Sequence, residues 1–405
     1  MTGRAIIVMK FGGTSVATPE GRSAMGRRVS EAIELDKAPV VVVSAMGRAG
    51  APYATDTLLA LINGMPSDER ERDLLASTGE VISAVVVAHD LRAGGIDACA
   101  LTGAEAGIGT DGVHENAQVA EIHPAPLLDA IARGLVPVVA GFQGIAPDGR
   151  VTTLGRGGSD TTACALGLAL QAEAVEIYTD VNGVMTADPR ACEDAVVLDV
   201  IRADELFQMA RHGSRVVHAP AAELALASGL AVRVRNTYTN HPGTLVANIA
   251  AYRPQALATA VSHATGIARV TAALPADEGS PAHMGAQAQV YRAMADADIS
   301  LDMFTPIGAT LVFTVAEKDL ERACEVLDNL GLSRTVRKEL AKVTLVGASM
   351  HGVPGVMARI AEALDEAHVT VLQTADSHTT ISVLVPAEYT GAAVSALHEA
   401  FDLAR

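Results

Sequence analysis

Two Gly-Gly turns carry most of the chemistry that this sequence offers. The first, Lys10-Phe11-Gly12-Gly13-Thr14-Ser15, follows directly on a short apolar run. Consecutive glycines let backbone N–H groups approach an anion that a Cβ would hold off, so the natural reading is a phosphate cradle. It is not the P-loop, because G-x-x-x-x-G-K-[ST] is absent and the lysine precedes the glycines. Alone, it is also what a plain tight turn after a strand looks like. The second, Gly155-Arg156-Gly157-Gly158-Ser159-Asp160-Thr161-Thr162, opens an Ala/Leu-rich stretch. There Ser159 or Asp160 is expected to cap a helix whose terminus attracts anions, and Arg156 offers a planar fork suited to a carboxylate. Capping accounts for one such turn. Two of them, one with Lys and one with Arg, point to phosphate and carboxylate binding together.

A third segment, Tyr178 to Arg190 (YTDVNGVMTADPR), leaves a β-branched run. In open α/β sheets ligands bind beyond the carboxyl ends of the strands, which suits this loop to a base, a ribose or a metal-bound phosphate; D-x-N-G is equally a common turn. Ser44-Ala45-Met46-Gly47, Thr55-Asp56 and Ser77-Thr78-Gly79-Glu80 add hydroxyls and one carboxylate. Glu80 is placed to meet a substrate ammonium, or is simply a solvated glutamate at a helix end. The scattered histidines, His378 among them, show no metal-ligand spacing, and no metal site is expected. Cys99, Cys164, Cys192 and Cys324 include no C-x-x-C pair and are expected to be reduced packing residues.

These segments need a scaffold, and up to about residue 250 short β-branched runs alternate with longer helical patterns, the signature of a mostly parallel sheet covered by helices. Strands are expected at Ala5 to Met9, Val40 to Ser44, Ala98 to Leu101, Val136 to Ala140 and Val175 to Thr179, with helices such as Thr18 to Leu35 and Asp68 to Leu91. Turn residues from Asn240 to Pro254 mark a domain boundary. From 262 to 405 the pattern βαββα occurs twice. The first copy is Gly266–Ala272, Met284–Asp296, Ser300–Phe304, Thr310–Val315 and Lys318–Leu330; the second is Lys342–Val346, Val353–Glu366, Thr370–Thr374, Thr379–Val385 and Glu388–Phe401. Ser333 to Arg337 can supply a sixth element to the first copy. A strand exchanged between the copies, or paired across a dimer, would close both sheets.

Composition narrows the partners. The 405 residues carry 30 Lys plus Arg against 47 Asp plus Glu, a net charge of −17 that repels polyanions. With 3% aromatics and no Trp, stacking platforms for single-stranded nucleic acid are lacking. No nucleic acid and no membrane partner is expected. No apolar run approaches the roughly 20 residues needed to cross a bilayer, and Met1 to Lys10 is too short on apolar residues for a secretory signal. A cytoplasmic location is the expectation.

Taken in order, KFGGTSV (10–16), VVVSAMG (41–47), STGE (77–80), GFQG (141–144), TTLGRGGSDTTA (152–163), YTDVNGVMTADPR (178–190) and the two C-terminal repeats resemble the aspartokinases of the amino acid kinase family over essentially the whole chain. MGRAGAPYATDTLL (46–59) and LQTADSHTTISVLV (372–385) are most similar to the diaminopimelate-sensitive aspartokinase I branch. The resemblance implies an amino acid kinase domain over 1–250 and two ferredoxin-like ACT domains over 262–340 and 341–405. It implies phosphorylation of the β-carboxylate of L-aspartate by ATP with Mg2+, the first step towards lysine, diaminopimelate, threonine and methionine.

By matching positions, Lys10 and Asp160 would be the catalytic residues, Lys10 stabilising the charge of the transferring phosphoryl group, and Phe11, Gly12 and Gly13 would lie against the phosphates of ATP. Ser44 and Thr55 would orient the reacting carboxylate, Glu80 would take the α-ammonium, and Arg156, with Gly157 and Gly158, the α-carboxylate. Ser159 and Asp160 would line the junction of substrate and nucleotide. Thr179, Asp180, Met185, Thr186, Ala187, Asp188, Pro189 and Arg190 would hold ATP. An amino-acid effector, diaminopimelate, lysine or threonine, would bind in the repeats around Phe304 to Gly308 and at Val353, Pro354, Gly355, Val369, Thr370, Asp376 and Ser377. A homodimer or higher oligomer through the ACT domains is implied as well.

Three departures stand out. Glu105 replaces the usual Gln in TGAEAG and would bring an extra anion near the active centre. HGSRVVHAP (212–220) has Arg215 in place of a Lys and lacks a later Arg, so this segment contributes no expected site residue. FTPIGAT (304–310) is short for a lysine or threonine pocket. A kinase for glutamate or acetylglutamate is the near alternative, disfavoured by KFGGTSV together with tandem repeats. A sensor built on an inactive kinase scaffold is the more distant one.

Overall fold

The computed structural model describes residues 3–214, 216–247, 257–275, 281–347, 350 and 352–404, with only the backbone of 281–283. Arg215 and the 248–256 part of the expected boundary lie outside the described residues. The chain divides into two compact units, one of Met1–Val184, Val197–Arg211 and Arg215–Arg253, the other of Met185–Val196, His212–Ser214 and Pro254–Arg405.

The first unit is built on eight strands. From edge to edge they are Val200–Arg202, Thr244–Ala247, Val232–Asn236, Ala174–Thr179, Ala5–Phe11, Lys37–Val43, Val136–Ala140 and Ala98–Leu101. The six from Val232–Asn236 to Ala98–Leu101 are mutually parallel. Their sequences explain this: Val40 to Val43 have no exposed surface, and only strands covered on both faces can be so uniformly apolar. Parallel strands place all their carboxyl ends along one edge, and Lys10, Ser44, Gly141 and Thr179 all fall there. Thr18 caps the helix Pro19–Glu34 by accepting from the Gly21 N–H at 3.1 Å, with Pro19 at the first turn.

Asp68 does the same for Glu69–Ala93, accepting from Glu71 N–H at 2.7 Å. Contrary to the expectation from sequence, this helix is long and apolar enough to cross a membrane. It is a core helix nonetheless: Ala84, Val87, Ala88 and Leu91 pack into the main core, and Asp73, Ser77, Glu80 and Ser83 are buried along it.

A second, four-stranded sheet, in the order Val119–Ile122, Ile108–Thr110, Gln143–Ile145, Val151–Thr153, escaped the sequence reading. Its strands are three or four residues long, too short to show a period. Its last strand leads into the Gly155–Asp160 turn.

The second unit contains a six-stranded antiparallel sheet in the order Asp302–Ile307, Thr310–Ala316, Ala260–Ala273, Arg334–Val346, Thr380–Pro386, Gln373–Asp376. The expected strand exchange between the two βαββα copies takes place within the chain. Arg269 to Ala272 pair with both Thr310–Ala316 and Arg334–Arg337, whereas Ala260 to Thr265 pair with Ala341–Val346, which in turn pair with Thr380–Val385. Each long strand thus serves one copy with each half. The change-over occurs at Gly266, φ +71°, where the register shifts. The strand expected at Thr370–Thr374 instead begins at Gln373, because the chain first closes off the helix Val356–Glu366 with a Val369 N–H to Leu364 C=O bond of 2.8 Å.

Candidate active site

Lys10 sits one residue before the end of the central strand Ala5–Phe11. Alternation sends its neighbours Met9 and Phe11 into the core, fully buried. The Lys10 ammonium meets the Asp160 carboxylate at 2.6 Å, both nearly enclosed. Asp160 lies in the first turn of the helix Gly158–Ala169, where the helix dipole favours an anion. The expected capping by Ser159 or Asp160 is not what forms. The N-cap is Gly157 at φ +81°, without a side-chain cap bond, and Ser159 and Asp160 are already helical. Glycine is required there twice over, since a Cβ would also lie 2.3 Å from the His218 side chain.

Lys10, Gly13, Ser44, Thr55, Glu80, Arg156, Gly157, Gly158, Ser159 and Asp160 all line one cavity of about 420 Å3. That is the size range of small-molecule sites. Glu80, 3% exposed, accepts from the Ala45 N–H through Oε1 at 3.1 Å, whereas its buried Oε2 has no partner among the described residues. Burial raises its carboxyl to about 8. Arg156 is exposed on the cavity wall and forms no ion pair among the described residues. The site therefore offers a buried acid short of a partner, a free guanidinium and an ammonium at the strand end.

The glycines divide their work differently from expectation. Gly12 has its N–H donated to the Tyr178 carbonyl at 3.3 Å and is not free to cradle a phosphate in this state. Gly13 is forced to be glycine by protein backbone: a Cβ would sit 2.5 Å from the Ala45 oxygen and 2.6 Å from that of Gly47. Phe11 stacks on Tyr178 with centroids 4.7 Å apart and contributes to the core, outside the cavity wall.

Thr179 and Asp180, at the next strand end, do not line this cavity. Asp180 pairs with Arg48 at 2.8 Å and accepts from the Thr179 hydroxyl at 3.2 Å. Met185 to Arg190 belong to the second compact unit. There Thr186 Oγ1 lies 2.8 Å from His398 Nε2, Ala187 packs in the apolar core, and Arg190 and Asp188 form a two-pronged pair. Glu105 does not bring an anion to the active centre as expected: its carboxylate accepts from the Thr102 N–H at 2.9 Å and hydroxyl at 3.0 Å, closing its own exposed turn, and it is absent from the cavity wall.

Of the expected effector residues, Val353, Pro354, Gly355, Thr370, Asp376 and Ser377 are exposed, whereas Val369 is buried in the core. Val353 to Gly355 precede the 11-residue helix Val356–Glu366 and Val369 and Thr370 follow it. The two sets are separated by roughly 16 Å of helix, at 1.5 Å per residue.

Sequence reasoning missed Asp73, Thr153, Phe142 and His218 on the cavity wall. His218 stood in the segment set aside for its departures; burial lowers its pKa, opposed by Asp160. Asp73 was findable, being seven residues before Glu80 on a predicted helix and so on the same face.

Comparison with known proteins agrees with this geometry. Residues 5–236 match the family model "Amino acid kinase family" and residues 335–399 that of the ACT domain. The class is thus an amino acid kinase fold followed by ACT domains. Aspartokinase 1 of Bacillus subtilis is 45% identical over 407 residues, covering 99% of this chain and 100% of its own. The aspartokinase of Mycolicibacterium smegmatis is 40% identical, covering 98% of this chain and 96% of its own. Among solved structures, E. coli aspartokinase III in complex with aspartate and ADP superposes with a TM-score of 0.82 at 26% identity, over 98% of this chain and 100% of that one. The same enzyme in complex with lysine and aspartate gives 0.76 at 26% identity, over 98% and 99%. The chain belongs to the aspartokinases, the aspartate kinases of the amino acid kinase family.

Proposed function

We propose that the cavity of the first unit is where L-aspartate meets ATP, and that the β-carboxylate attacks the γ-phosphorus while the bond to the ADP leaving oxygen breaks, giving 4-phospho-L-aspartate. The observation that carries this is the joint presence on one cavity wall of Lys10 with Glu80 and Arg156, which have, among the described residues, an unpartnered buried oxygen and no ion pair respectively. Together they complement an ammonium, a carboxylate and a phosphoryl group. A carboxylate is already a nucleophile at neutral pH, so the site needs positioning and positive charge and no strong base.

Lys10, released from or shared with Asp160, would draw charge from the transferring group. Ser44 and Thr55 would hold the reacting carboxylate, Glu80 the ammonium and Arg156 the α-carboxylate, with Gly157, Gly158 and Ser159 walling the substrate. Mg2+, arriving with the nucleotide, would offset phosphate charge. Thr179 and Asp180, at the neighbouring strand end, would contact the nucleotide. A cytoplasmic place, where ATP and free amino acids are at hand, belongs to the same proposal.

We further assign a kinase domain over 1–250 and two ACT repeats over 262–340 and 341–405, the later one completed by the strand half Ala260–Thr265, with feedback by an amino acid (diaminopimelate, lysine or threonine) on these repeats. Because exposed Val353 to Gly355 and exposed Thr370 lie at opposite ends of one helix, an amino acid touching both would do so between two copies of the chain, which favours an oligomer.

An aspartate- and ATP-dependent hydroxamate assay tests the reading, repeated with each effector. Aspartyl hydroxamate from the native chain and its loss in Lys10→Ala are the expected results. Glutamyl hydroxamate in its place, or no product at all, would sink it.

A further inference from the structure

The helix Glu69–Ala93 brings two buried acids to the same cavity, and they are in opposite states. Glu80 is short of a partner. Asp73, 1% exposed, is fully engaged by donors from two other segments. Its Oδ1 accepts from the Thr153 hydroxyl at 2.5 Å, its Oδ2 faces His114 Nδ1 at 2.6 Å, and both accept from the Glu115 N–H at 3.1 and 3.2 Å.

What these donors belong to gives Asp73 its role. Thr153 ends the strand Val151–Thr153, three residues before Arg156. Glu115 has φ +62°, a left-handed backbone that non-glycine residues keep only where the surroundings hold it. The next residue, Asn116, lies against Gly155 so closely that a Cβ there would be 2.8 Å from its side-chain oxygen, and the Ala117 N–H donates to the Thr153 carbonyl at 2.9 Å. Glu115 in turn pairs with Arg72, the neighbour of Asp73. The 114–117 loop and the 153–156 turn are thereby one piece, fastened to the helix by the Asp73 carboxylate.

We propose that Asp73 is a positioning residue for the substrate α-carboxylate: by fixing the Thr153–Arg156 turn it aims the Arg156 guanidinium, without itself touching substrate. An anion on the wall of a site that receives a carboxylate is tolerable because its charge is met by three donors. The proposal rests on the reading that Arg156 receives the α-carboxylate.

The test is a mutant cycle read in the KM for L-aspartate, with the KM for ATP alongside. Arg156→Lys loses the two-pronged geometry and should raise the aspartate KM about tenfold or more. Asp73→Asn should raise it comparably and leave the KM for ATP alone. Thr153→Val should follow in the same direction and Thr153→Ser should restore the native value. The double variant Asp73→Asn with Arg156→Lys should be no worse than Arg156→Lys, since both act through one group.

If the effects multiply in the double variant, or if Arg156→Lys raises the KM and Asp73→Asn does not, the positioning role is wrong. If Arg156→Lys leaves the KM unchanged, the underlying assignment of Arg156 fails instead. Should Asp73→Asn not fold, Thr153→Val and its double with Arg156→Lys decide the matter in the same way. Lower stability in these variants with an unaltered aspartate KM would leave Asp73 a purely structural residue and overturn the proposal.

Discussion

The Lys10 ammonium and the Asp160 carboxylate are held 2.6 Å apart, with 12% and 3% of their side chains exposed. The pair joins the end of the central strand to the first turn of the Gly158–Ala169 helix. It keeps the cation in place before any phosphoryl group arrives.

Lys10→Met should therefore do two separable things. The rate of aspartyl phosphate formation should fall by about 100- to 1000-fold, the usual effect of removing one charge-stabilising group. Stability should fall by roughly 3–5 kcal/mol, because a buried carboxylate is left alone. Adding Asp160→Asn should recover much of the stability in urea unfolding and none of the rate.

Glu80 predicts a pH dependence. With its carboxyl raised to about 8 by burial, it is mostly protonated at neutral pH in the free enzyme. An ammonium needs the carboxylate, so aspartate binding must expel that proton. The reciprocal of the aspartate KM should rise about tenfold per pH unit below 8 and flatten above it. Glu80→Gln should weaken binding and level the curve; a curve of unchanged slope in that variant would show that another group is responsible.

Gly12 and Gly13, adjacent in sequence, should respond oppositely to alanine. A Cβ at Gly12 finds its nearest neighbours at 3.7 and 3.8 Å, ordinary contact distances. At Gly13 it meets two backbone oxygens inside 2.7 Å. Gly12→Ala should melt within a few degrees of the native protein, whereas Gly13→Ala should lose both thermal stability and activity.

Thr186 offers a test of the second unit. Its Oγ1 accepts from the Val196 N–H at 3.0 Å and pairs with buried His398 at 2.8 Å. Thr186→Val leaves the buried His398 nitrogen and the part-buried Val196 N–H without this partner, at about 1–3 kcal/mol for the buried one and less for the other, and serine should restore both bonds. Burial lowers the His398 pKa below its ordinary 6.5. The folded state thus binds fewer protons than the unfolded, and its stability should decline as pH drops through 6.5. Native and His398→Asn unfolding curves at pH 5.5 and 7.5 would show whether this histidine is the source.

Much of this architecture was legible because it depends on period and punctuation. VVVV at 40–43 reads as a strand buried on both faces, and the repeated βαββα order announced the paired small folds. The Lys10, Glu80 and Arg156 segments were legible through residue types in a fixed order. What could not be read was set by distant backbone. Gly13 is constrained by oxygens of residues 45 and 47, and Glu105 looked like an active-site anion until its bond to Thr102 placed it in its own turn. Gly157 took the capping role assigned to Ser159 or Asp160: its backbone is left-handed, and His218 leaves no room for a Cβ there. The three-residue strands carry too few side chains to show a period, so the small sheet that delivers Thr153 to Asp73 stayed hidden with them.

The crossed strands of the second unit also decide where the chain can be cut. Ala260–Thr265 is the fourth strand of the later repeat, although it precedes the earlier one in sequence. A fragment starting anywhere between 274 and 333 would present Ala341–Val346 as a bare edge, open to pairing with another chain. A regulatory fragment that keeps this edge covered must begin before Ala260 and carry both repeats.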